Sequence, residues 1–128
     1  MYTTAPVTSV AQQDFSNDDC IWAMQWINNS LAVFMERGYV EKIVAQEKET
    51  VMYVGAPWHR LDPAQQEAFL KNFARARDIT GHDPSCSVVD GATGTGIARI
   101  TRYGIELTLT DGTTKTIPFA RYDQGSRE

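Results

Sequence analysis

Alternation of apolar and polar residues is strongest in the segment 87–122, where it predicts short strands joined by turns. Two alternating stretches flank Asp111-Gly112, a dipeptide typical of β-hairpin turns. Each stretch is therefore predicted to be a strand with one buried face. The apolar positions of the two strands are Ile105, Leu107, Leu109, Ile117 and Phe119.

The turn type can be inferred from the strand register. A three-residue loop, Thr110–Gly112, pairs Ile105 with Ile117 and Leu107 with Lys115, which gathers the apolar side chains on one face. A two-residue loop would move one strand's apolar residues to the opposite face. We therefore expect a three-residue loop with its glycine in the left-handed region.

The preceding strand is predicted over 96–102, with a turn at Tyr103-Gly104 that sets Ile100 opposite Leu107. A further short strand ends at Asp90. Pro118 has no N–H to donate, so the last strand is expected at an edge of the sheet.

A long helix is predicted from Asp18 to Arg37, ended by Gly38. Trp22 and Trp26 lie beside its main apolar stripe. They could pack under the sheet or a neighbouring loop, or they could form part of a partner interface, where tryptophan is enriched. The stripe itself comprises Cys20, Met24, Ile27, Leu31, Phe34 and Met35.

A second helix has a clear start, with Asp62 as N-cap, Pro63 next and Gln65 completing a capping box. The run 50–54 is rich in β-branched and aromatic residues and is predicted to be a strand. The segment 39–48 fits either a short helix or a strand.

These elements predict a single two-layer α+β domain: a mainly antiparallel sheet of four or five strands, ending in a β-meander, with two helices on one face. The domain spans 17–122, between a flexible lead-in (1–16) and a polar tail (123–128). The expected core is Ile21, Met24, Ile27, Leu31, Phe34, Val51, Tyr53, Phe69, Leu70, Phe73, Val88, Ile100, Leu107 and Ile117.

Composition narrows the classes of function. The chain has 128 residues and a formal net charge of −4, with no concentrated basic face, which argues against nucleic-acid binding and against a polybasic membrane anchor. No apolar run approaches a membrane span. Two cysteines are too few for a disulfide scaffold, and the N-terminus lacks the features of a signal peptide. We expect a cytoplasmic protein.

Candidate chemistry is sparse. The loop Gly91–Gly96 leads into a strand, not a helix, so it lacks the dipole of a phosphate-binding loop. His59, His82, Cys20 and Cys86 do not form a complete set of metal ligands. Cys86 is expected to be a small buried hydrophobe, not a nucleophile. We therefore expect no metal, no cofactor and no catalytic residue.

Three functions remain open. The first is a small non-catalytic binding or accessory module that acts through protein–protein contacts and associates with itself, using Trp22, Trp26 and an edge strand near Phe119. The second is an enzyme or ligand-binding domain with a pocket between sheet and helices near Trp58, His59 and Asp90. The third is an inhibitor or immunity-type protein that uses the acidic residues Asp18, Asp19, Glu47 and Glu49.

Overall fold

The computed structural model describes residues 16–46, 49–109 and 111–119. Within them the chain forms a six-stranded sheet with helices packed on one face, so the predicted α+β class is confirmed with more strands than expected. The lead-in up to residue 15 and the tail at 123–128 lie outside the described residues. The strands are β1 (Val40–Ala45), β2 (Thr50–Val54), β3 (Cys86–Asp90), β4 (Gly96–Ile100), β5 (Gly104–Thr108) and β6 (Thr114–Pro118).

The strands lie side by side in chain order. All neighbours are antiparallel except β2 and β3, which are parallel because helix α3 (Pro63–Ile79) crosses between them. The segment 39–48, which the sequence left open, contains strand β1. Strand β6 is at an edge, as Pro118 predicted.

The hairpin register is the predicted one. Ile105 pairs with Ile117 and Leu107 with Lys115, and Gly112 has a φ of 89°. The preceding turn differs, because Ile100 pairs with Ile105 and not with Leu107. The hydroxyl of Thr101 accepts the N–H groups of residues 103 and 104, and the Thr101 N–H donates to the carbonyl of Gly104, so the two-residue turn lies one residue earlier than predicted. The slip is two residues, so every side chain keeps its predicted face.

The first helix is interrupted. It comprises α1 (Asn17–Gln25), a π-helical turn (Trp26–Leu31) and α2 (Ala32–Glu36). Its N-cap is Ser16, which forms a reciprocal capping box with Asp19. The predicted core positions Ile21 and Met24 were wrong, since they are 54% and 51% exposed.

Tryptophan burial explains this correction. Ala23 and Trp26 face inward, and the Trp26 ring packs on Phe69 and Phe73 of α3. The apolar stripe is therefore centred on the tryptophan side of α1. The wider π turn then brings Phe34 back toward the core, where it stacks on Phe69.

The sheet buries one face against the helices. On β2, Met52 and Val54 point inward, whereas Val51 and Tyr53 are half-exposed on the opposite face, so their predicted place in the core was wrong. Ile27, Leu31 and Phe34 are only half-buried. The remaining predicted core residues are buried: Phe69, Leu70, Phe73, Val88, Ile100, Leu107 and Ile117. Among the described residues, no helix is long and apolar enough to cross a membrane.

Candidate functional site

Both helical tryptophans make contacts inside the chain. Trp22 stacks against Trp26 with ring centroids 6.4 Å apart, and the Arg75 guanidinium lies 5.2 Å from the Trp22 ring. Arg75 also donates to Asp19 at 2.8 Å, which ties α3 to α1. The amide N–H of Ser16 and the charge of Arg75 together lower the pKa of Asp19. Both tryptophans therefore pack inside the chain on residues of α3.

Two other predicted contact residues are buried. Trp58 is 1% exposed and its ring meets Phe69 edge-on, so it is a core residue. It belongs to a short 3₁₀ helix (Ala56–Arg60), and its carbonyl accepts a hydrogen bond from Gln66. Phe119 is 8% exposed, so its ring is also turned away from solvent.

His59 and Asp90 are brought together at the carboxyl edge of the parallel pair. Asp90 is the last residue of β3, and His59 belongs to the 3₁₀ helix that follows β2. Because β2 and β3 are parallel, their carboxyl ends meet at the same edge of the sheet. His59 Nε2 lies 3.7 Å from Asp90 Oδ1, a distance that makes an ion pair when the imidazole is protonated.

Asp90 is also a loop-capping residue. Its carboxylate accepts the N–H of Ala92 at 3.2 Å and the hydroxyl of Thr93 at 3.0 Å. These two hydrogen bonds lower the pKa of Asp90, and the electrostatic interaction with His59 lowers it further. The loop from Gly91 thus joins β3 to β4 as a closed turn, and the element after it is a strand, not a helix that could bind a phosphate.

Glu41 is a third ionisable group at this edge, and sequence reasoning missed it. Its carboxylate lies so close to Gly91 that a Cβ there would overlap it, and its stem lies against Gly55. The sequence signal was weak because β1 itself was ambiguous. Across the described ranges, no cluster of three or more His, Cys, Asp or Glu residues could hold a metal ion.

The cysteines do not form a nucleophilic site with His59. Cys86 begins β3 whereas Asp90, beside His59, ends it, so the thiol and imidazole lie toward opposite ends of the strand. Burial raises the pKa of Cys86 to about 12, which leaves the thiol protonated at neutral pH. Such a thiol is a poor nucleophile. Cys20 is exposed on α1.

The acidic residues of the third hypothesis are partly engaged within the chain. Asp19 pairs with Arg75, and Glu49 accepts the hydroxyl of Ser87 at 2.5 Å. Asp18 is exposed, and Glu47 lies outside the described residues.

The sheet face turned away from the helices carries the remaining candidate residues, and we call it the open face. Its half on strands β1 to β3 carries half-exposed apolar side chains, and its β4 to β6 half is polar. The apolar members are Val44, Val51, Tyr53 and Val89, and the polar members are Arg99, Glu106, Thr108, Thr114 and Thr116.

A shallow depression of about 320 Å³ lies on the open face. Ser87, Arg99 and Glu106 line it, and Gly96 contributes bare backbone. Arg99 and Glu106 are directly opposite each other on β4 and β5. Within the described part of the chain, neither side chain has a hydrogen bond or an ion pair.

Comparison of the chain with protein-family models, curated proteins and solved structures found no match.

Proposed function

We propose that this protein is a small non-catalytic binding module that acts through protein–protein contacts made by its open face. The observation that carries the proposal is the half-exposed apolar group on this face, above all Tyr53 beside Val89 on the parallel strands. Contiguous exposed apolar surface is typical of interaction sites.

The proposed contact surface is the open face of the sheet, and it differs from the tryptophan and edge-strand surface expected from sequence. Trp26, Trp58 and Phe119 are buried in the core, and Trp22 is held by Arg75. Tyrosine is enriched at the centres of protein interfaces, and Tyr53 supplies an aromatic ring to the open face, with Lys42 Nζ 4.8 Å from the ring centroid.

Affinity capture with two matched variants tests the proposal. Val89→Lys places a charge at the centre of the open face, whereas Met24→Lys places one on the exposed side of α1. Tagged wild-type and variant proteins are incubated with lysate of the source cells, and bound proteins are quantified by mass spectrometry. Far-UV circular dichroism verifies that both variants fold.

We expect wild type and Met24→Lys to retain a bound protein, or an untagged copy of the chain itself. Val89→Lys should reduce the amount of that bound protein at least tenfold. Equal retention by all three proteins would show that the open face is not the contact surface. Absence of any bound protein, including a second copy, would contradict a binding module.

A second candidate is the ligand-binding or catalytic role near His59 and Asp90, favoured by their 3.7 Å separation at the carboxyl edge of parallel strands. Buried Trp58 cannot contact the ligand in this arrangement, so His59, Asp90 and Glu41 would form the site. A thermal-shift screen of small metabolites tests it: a stabilising compound whose effect survives both His59→Ala and Asp90→Asn would contradict the assignment.

A further inference from the structure

Arg99 and Glu106 form the centre of a row of side chains that crosses four strands of the open face. The register places Ser87 beside Arg99, Arg99 beside Glu106, and Glu106 beside Thr116. The order along the row from β3 to β6 is therefore hydroxyl, cation, anion, hydroxyl.

This order is self-complementary. A two-fold axis that runs parallel to the strands, midway between β4 and β5, places each residue of the row over its mirror position in a second copy. Arg99 then faces Glu106 of the other molecule, twice, and Ser87 faces Thr116. A two-fold interface requires such reciprocal contacts.

We infer that the partner of the open face is a second copy of this chain, joined face to face through reciprocal Arg99–Glu106 ion pairs. The inference rests on the proposed function and names a partner for the part of the open face on β3 to β6; Tyr53, on β2, lies outside this contact. Both charges have no partner of their own among the described residues, although they are adjacent across the strands. Pairing between copies satisfies both at once, with Val89 packed beside the row.

The size of the contact bears on its strength. Four strands spaced about 4.8 Å apart, with five residues rising about 3.3 Å each, present roughly 320 Å² of projected face per copy. That is small beside the roughly 800 Å² per partner of a standard interface. We therefore expect a weak dimer that depends on protein concentration and is weakened by salt.

Complementary charge reversals test the pairing. Sedimentation velocity is measured from micromolar to millimolar concentration for wild type, Arg99→Glu, Glu106→Arg, the double variant and a 1:1 mixture of the two single variants. Each single variant faces like charges in its own dimer and should remain monomeric where wild type dimerises. The mixture restores opposite charges across the interface and should dimerise, as should the double variant.

The mixture distinguishes an Arg99–Glu106 ion pair between two copies from one within a single chain. Mixing the two single variants restores opposite charges only between copies. Dimers of both single variants as strong as wild type, or a monomeric mixture of two folded variants, would overturn the inference. A wild type that stays monomeric would overturn it too. If affinity capture still finds a partner that Val89→Lys releases, the proposed function survives that failure.

Discussion

Gly104 shows how one missing side chain permits a strand pair. A Cβ at this position would overlap the carbonyl oxygen of Ile117 and lie 2.9 Å from Cα of Pro118, both on the backbone of β6. Backbone cannot rotate away as a side chain can. We therefore expect Gly104→Ala to lower the free energy of unfolding by about 1–3 kcal/mol, as overpacking does, in urea unfolding monitored by circular dichroism.

Gly96→Ala is the matched control. This glycine begins β4, and a Cβ there would meet nothing within 4 Å. The unfolded chain loses freedom when glycine becomes alanine, so we expect stability to be unchanged or raised by up to about 1 kcal/mol. Equal losses at both positions would contradict the steric explanation.

At the scale of elements, the start of α3 matters because this helix makes the crossover between the parallel strands. Asp62 is its N-cap, and the Asp62 N–H donates to the Gln65 side chain at 2.9 Å. We expect Asp62→Ala to lower the free energy of unfolding by about 1 kcal/mol and Asp62→Asn to retain most of the wild-type value. Urea midpoints measure both, and a loss as large in the asparagine variant would argue against capping.

Local features such as the helix cap and the hairpin register could be predicted from sequence, whereas the buried face of β2 could not. The hairpin register could be predicted from a single pattern because only one loop length gathers Ile105 and Ile117. In β2, by contrast, apolar residues occupy both faces, so alternation could not decide between Val51 and Met52. The neighbouring strand decides it, since Val88 beside Met52 faces the helices.

The helix face was misjudged for a related reason. The sequence interpretation centred the apolar stripe on Met24 and treated both tryptophans as flanking residues. In addition, the π-helical turn shifts the helical phase of the residues that follow it. Phe69 and Phe73, more than forty residues away, fix which side of α1 is buried. Contacts between distant elements override the local period here.

At the scale of the whole molecule, the candidate sites depend on topology. The sequence named His59 and Asp90 but could bring them together only if their loops share one end of the sheet, which the parallel pairing of β2 and β3 provides. The open face required knowledge of the full strand order. Arg99 and Glu106 are neighbours only because the turn at Tyr103 lies one residue earlier than expected.

Phe69 joins the helical layer into one unit. Its ring lies 4.3 Å from Phe34, 5.3 Å from Trp26 and 5.7 Å from Trp58, so it connects α3 to the first helix and to the 3₁₀ helix. Because these elements cover the sheet, the wild type should unfold in a single transition, with tryptophan fluorescence and far-UV circular dichroism giving the same midpoint.

Phe69→Ala should remove this connection. We expect it to lower the free energy of unfolding by about 3–5 kcal/mol, as large aromatic truncations do, and to make the fluorescence midpoint fall below that of circular dichroism. The fluorescence reports the tryptophans that Phe69 touches, whereas the strands retain their own pairing. Phe69→Leu keeps an apolar group at the site and should cost less. Coincident, unshifted midpoints for Phe69→Ala would mean that the layer is held together elsewhere.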